Sequence, residues 1–124
     1  MPLANAVIRI DHHHADVLEF DSEHVSAHSV TAHNHYTRQH QSGVRTEHEF
    51  FGEVCDALRG FKHVVVTGSH TGVAAFRHYV EKHRLPLGAQ IAGWEVVDHP
   101  SEGQLVAFAR QYLVAHQRMA APAA

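Results

Sequence analysis

The run Lys62-His63-Val64-Val65-Val66-Thr67 constrains this chain more than any other stretch. Side chains alternate between the two faces of a strand, so three consecutive valines require both faces to be covered. Gly68-Ser69-His70 comes next, then a segment from about Thr71 to Arg84 with Val73, Phe76 and Val80 at helical spacing and Pro86 beyond its end. A doubly buried strand leading into an amphipathic helix is a βα unit of a parallel sheet. An all-helical or two-sheet architecture would contradict this reading.

The other segments fit around that unit. Residues 5–10 (NAVIRI) and 15–20 (ADVLEF) read as strands joined across Asp11–His14 by a break short enough for an antiparallel hairpin. After a turn at Asp21-Ser22-Glu23, residues 24–32 (HVSAHSVTA) form a more polar strand suited to a sheet edge. Residues 33–46 (HNHYTRQHQSGVRT) have no periodicity and make the longest irregular segment. Thr46 and Glu49 then spell a capping box, with Phe51, Val54 and Leu58 on one helical face and Gly60 as its stop. A fifth strand is expected over Gln90–Val97. Pro100 and a Ser101/Gln104 capping box introduce a last helix whose buried stripe reads Leu105, Phe108, Ala109 and Tyr112.

The predicted order is βββαβαβα, a mixed five-stranded α/β sheet of ribonuclease H-like type with strand order 3-2-1-4-5 and three helices. Residues 1–118 are expected to form one domain and residues 119–124 a disordered tail. Val64, Val65, Val66, Phe76, Leu105 and Phe108 are the expected core positions.

A formal charge of −3 with histidines neutral argues against a strong non-specific grip on phosphate backbones, so no DNA partner is expected. The single cysteine, Cys55, excludes an internal disulfide framework and fits a reducing cytoplasm. No apolar run approaches a membrane span, and MPLANAVIRI lacks the basic start of a signal peptide; no membrane partner is expected. The fifteen histidines are scattered from His12 to His116, a distribution unlike a purification tag.

Three places carry candidate chemistry. Strands one, four and five would be parallel, so Asp11-His12, His70 and Asp98-His99 follow strands whose carboxyl ends share one edge, where α/β sheets bind ligands. Asp11, His12, His70, Asp98 and His99 are accordingly the expected ligand or metal set, with donors suited to a divalent ion such as zinc. The alternative is that Asp11 and Asp98 cap turns while the imidazoles face water. Gly68-Ser69-His70-Thr71-Gly72 offers free amides at a helix start, through Ser69, His70 and Thr71, for a phosphate, or else is a structural loop; it lacks the Walker ending. The long loop supplies Arg38 and Arg45 for a phosphate backbone and Tyr36 for base stacking, or is simply a solvated histidine-rich surface.

The phrases AVIRIDHHHADVLEF, HVVVTGSHTGVAAFRHYV and VVDHPSEGQLVAFARQYL, with a histidine-rich loop between the first two, resemble the small bacterial "translational machinery" proteins. These are similar in turn to the middle domain of archaeal and eukaryotic peptide-chain release factors and of Pelota. The resemblance spans residues 5–116. It implies a translation-associated role with a ribosome or RNA partner. Release factors of this kind carry Gly-Gly-Gln between the third strand and first helix; the corresponding QHQSGVRT has Gln39, Gln41 and Gly43 but no such tripeptide. The resemblance therefore implies a non-catalytic relative, closer to the Pelota precedent. Two other classes stand beside it: a metal-dependent nuclease or phosphoryl-transfer enzyme on the same scaffold, and a histidine-rich metal-binding protein.

Overall fold

The computed structural model describes residues 4–21, 23–32, 43–98 and 100–120, with the side chains of 43–45 and 116–120 outside the described set. Its elements are β1 (Asn5–Ile10), β2 (His14–Phe20), β3 (Val25–Thr31), α1 (Gly43–Ala57), β4 (His63–Gly68), α2 (His70–His83), β5 (Ile91–Val96) and α3 (Glu102–Ala120). One five-stranded sheet has the order β3-β2-β1-β4-β5. The hairpin β1–β2 is antiparallel with Asn5 opposite Phe20, and β2–β3 is antiparallel with Phe20 opposite Val25. Parallel pairing joins β1 to β4, with Asn5 opposite His63, and β4 to β5.

The valine run behaves as its sequence demands. Val64 and Val66 pack with Ala6, Ile8 and Ile10 beneath α1 and α2, against Phe50, Phe51, Val54, Leu58, Phe76 and Val80. Val65 faces the other way and joins Val7, Leu18 and Phe20 beneath α3, against Leu105, Val106, Ala109 and Leu113. Each valine is wholly buried, and burying such a side chain is worth about 1.5–3 kcal/mol relative to leaving it in water. The buried Thr67 hydroxyl donates to the Ile8 carbonyl at 2.6 Å, which relieves the cost of sealing a polar group in the sheet.

Two local expectations are corrected. α1 begins at Gly43, so Thr46 lies inside the helix rather than before it. Phe108 is 36% exposed and leans on Tyr112 with ring centroids 5.8 Å apart, while Val106 and Leu113 take the buried stripe with Leu105 and Ala109. A 3-10 helix, Leu85–Gln90, separates α2 from β5; the Gln90 amide Nε2 donates to the carbonyls of Leu58 and Phe61, occupying chain ends that follow α1. α3 ends at Ala120. Other boundaries agree closely: Gly60 has φ +92° after α1, and Ser101 and Gln104 form the reciprocal cap of α3.

Candidate functional site

Because β1, β4 and β5 are parallel, the segments after them emerge along one edge. They enclose a groove of about 580 Å³, lined by Asp11 after β1, Ser69 and His70 after β4, and Val97 and Asp98 after β5. Arg9 and His14 form its flank, with Ile10 and Val96 among its apolar lining.

Close backbone approach builds this edge. Gly68 has φ +150°, and a Cβ there would stand 2.2 Å from the Ile10 carbonyl oxygen. A Cβ on Gly72 would stand 2.8 Å from the same oxygen. The start of α2 therefore rests directly on the end of β1, a contact only glycine permits. Ser69 caps α2, its Oγ accepting from the Gly72 amide at 3.1 Å. The Val97 amide donates to the Gly68 carbonyl at 3.0 Å and fixes the exit of β5 beside this loop.

Asp11 serves its own turn. Its Oδ1 accepts from the amides of His13 and His14 at 2.8 and 2.7 Å, while the Asp11 amide donates to the His14 carbonyl. Asp21 repeats the arrangement with the amides of Glu23 and His24, which hold its carboxyl below the ordinary carboxylate range. The turn reading of the Asp-His cluster thus accounts for Asp11.

Charge in the groove is ordered by the hairpin register. Arg9 stands opposite Asp16, to which its guanidinium donates at 2.7 Å, and a second guanidinium nitrogen donates to the Pro100 carbonyl at 3.1 Å. The His14 ring bridges Asp16 Oδ1 at 2.8 Å and Thr31 Oγ1 at 3.1 Å. Partial burial works against the Asp16 charge, but hydrogen bonds from Arg9 and His14 outweigh it and hold the carboxyl below its ordinary value.

Asp11, His70 and Asp98 all line this groove. His12 and Thr71 turn aside: the His12 ring meets Glu47 Oε2 through Nδ1 and Thr71 Oγ1 at 3.2 Å through Nε2, tying the hairpin to α1 and α2. Among the described residues no three His, Cys, Asp or Glu side chains are grouped to hold an ion. His99, Tyr36 and Arg38 lie outside the described residues, as does the Arg45 side chain. Ser69 Oγ is engaged in its cap, accepting from the Gly72 amide. Arg9 is the charged groove residue that the sequence reading missed; the alternation of β1 against β2, which places Arg9 across from Asp16, is the signal that reveals it. What results is a groove of mixed lining that holds charged side chains of both signs.

No protein-family model and no curated protein matches the chain. Solved structures do. Pelota from Archaeoglobus fulgidus matches over 89% of this chain and 31% of its own, with TM-score 0.60 and 17% identity. Pelota from Thermoplasma acidophilum matches over 88% and 32%, with TM-score 0.62 and 13% identity. An archaeal translation termination factor matches over 93% and 38%, with TM-score 0.60 and 18% identity. The chain spans about a third of the length of these proteins. Its fold is similar to one part of each, an extent that fits the middle-domain likeness implied by the sequence.

Proposed function

We propose that the protein is a non-catalytic, translation-associated module that binds the ribosome or RNA. The observation that carries this reading is its likeness in fold to part of Pelota and of an archaeal translation termination factor. The sequence contains no Gly-Gly-Gln, in keeping with a binding role rather than peptide release. The aromatic and basic residues Tyr36, Arg38 and Arg45 supply side chains of the kind that stack on bases and pair with phosphates. Ser69, His70 and Asp98, at the groove, would meet a polar group of the partner.

Nuclease or phosphoryl-transfer chemistry on this scaffold would require several carboxylates converging on divalent ions. Among the described residues, only Asp11 and Asp98 supply carboxylates to the groove lining, and Asp11 is engaged in its turn. The binding reading is therefore preferred, with the cytoplasm as its place of action.

Cosedimentation from lysates of native cells at moderate salt is the test. The protein is expected in ribosomal fractions, and nuclease treatment or subunit dissociation then separates a ribosomal from a free RNA partner. Absence from ribosomal and RNA-bound fractions in growing, stationary and stressed cells would overturn the reading.

A further inference from the structure

Several imidazoles of this chain are engaged with carboxylates: His12 with Glu47, His24 with Asp21 and His28 with Glu19. His48 and His83 face each other instead. The first stands in the second turn of α1 and the second ends α2, and their ring centroids lie 5.6 Å apart. Both side chains are exposed, and among the described residues neither has a hydrogen-bond or carboxylate partner. Their ring nitrogens are therefore open to a ligand.

Tyr79, one turn before His83 on α2, holds the two rings in place. Its ring centroid is 4.9 Å from that of His83 and 5.4 Å from that of His48, and the buried Phe51 backs it at 5.7 Å. Gly52 of α1 leaves room for this packing, since a Cβ there would stand 3.3 Å from the Tyr79 hydroxyl. The helices are also tied by Arg84, whose guanidinium donates to the Asp56 carboxylate at 3.0 Å. That pairing answers the positive charge beside His83. His83 itself lies in the last turn of α2, where the helix macrodipole favours a cation.

We propose that His48 and His83 together bind a divalent transition-metal ion of the zinc class, bridging α1 and α2. Neutral imidazole is a donor for zinc, nickel and copper, whereas magnesium and calcium take oxygen ligands. The separation of the rings supports a shared ion. A zinc–nitrogen bond of about 2.0–2.1 Å puts the ion about 3.2 Å from a ring centre, so two imidazoles at a tetrahedral angle have centres about 5.2 Å apart. Opening that angle to about 120° gives about 5.5 Å. The observed 5.6 Å lies close to both. A ring centre sits near its own Cβ–Cγ axis, so turning either imidazole about that bond aims a nitrogen at the ion and keeps the separation. Coordination fixes the nitrogen–metal axis and not the angle between ring planes, here 61°. Two protein donors leave the other positions to water, an open site unlike the closed four-ligand site of structural zinc. That composition agrees with the lack of a three-donor group among the described residues.

Two measurements on the full chain test the proposal. The pair exists only where α1 packs on α2, so an ion held by it stabilises the fold; single imidazoles along the chain bind the unfolded chain as well and do not. Urea denaturation is expected to show a higher midpoint in zinc chloride than in EDTA. His48→Phe and His83→Phe each keep a ring against Tyr79 but supply no donor, and each should abolish the zinc-dependent shift. His78→Ala, which removes an exposed imidazole of the same helix, should retain it. Every variant serves as its own reference in EDTA, so altered basal stability does not obscure the result. In the wild-type protein, zinc should also protect His48 and His83 from acylation by diethyl pyrocarbonate, read residue by residue by mass spectrometry. Absence of a zinc-dependent shift in the wild type overturns the proposal. So does a shift that survives in either phenylalanine variant, or acylation of His48 and His83 at rates that zinc leaves unchanged. The protection measurement uses no variant and decides the matter even where a substitution prevents folding.

Discussion

At the scale of single residues, several assignments were legible because their chemistry is local. An aspartate two and three residues before free amides makes a turn wherever it occurs, and both Asp11 and Asp21 do so. Gly68 was legible only as a loop residue, since its requirement comes from the end of β1, far away in sequence. Cys55 lies in the core, at 1% exposure. Burial pushes its thiol up from 9.0 to about 11, although the Arg84 charge pulls the other way. The folded state therefore disfavours the thiolate. Its contribution to stability is complete below pH 9 and is lost as pH rises to about 11. Unfolding free energies of wild type and Cys55→Ala measured across that window should converge by this amount, because other titrating groups are shared. A difference that stays constant with pH would contradict the assigned burial.

At the scale of elements, periodicity gave the helices and strands but left the rotation of α3 open. Leu105-Phe108-Ala109-Tyr112 and Leu105-Val106-Ala109-Leu113 both satisfy helical spacing. The sheet selects the second. Tyr112 lies over Gly93, where a Cβ would come within 1.9 Å of its hydroxyl, and that hydroxyl donates to Glu95. Burial and the Glu95 charge together raise its pKa. At the other flank, the Arg110 guanidinium donates to the Asp21 carbonyl at 3.1 Å and lies 5.9 Å from the Phe20 ring centroid. With α3 held on both sides, Leu113 points into the core and Phe108 to the rim. Leu113→Ala is accordingly expected to cost about 2–5 kcal/mol in chemical denaturation, by lost burial and a residual cavity. Phe108→Ala should cost about 1 kcal/mol, the scale of an aromatic pair at a surface. The reverse ranking would restore the stripe suggested by the sequence.

At the scale of the whole molecule, the strand order was legible because an antiparallel hairpin, a polar edge strand and two βα units leave few ways to close one sheet. The groove was legible only in part. Strand direction alone puts Asp11, His70 and Asp98 on one edge, whereas the departure of His12 toward Glu47 and Thr71 depends on where α1 and α2 settle. Fold likewise does not carry activity with it. The likeness to an archaeal translation termination factor raises the question of peptide release directly. In the release factors that this sequence resembles, two glycines free the backbone beside a glutamine so that it can approach the peptidyl ester closely. Here Gln39 and Gln41 are each next to His40, and Ser42 follows Gln41; both neighbours bear a Cβ and lack the conformations that glycine reaches. The purified protein is therefore expected to release no peptide from ribosomes loaded with peptidyl-tRNA. Release above background that disappears in Gln39→Ala or Gln41→Ala would show that this loop does the chemistry without its glycines, and would replace the binding role with an enzymatic one.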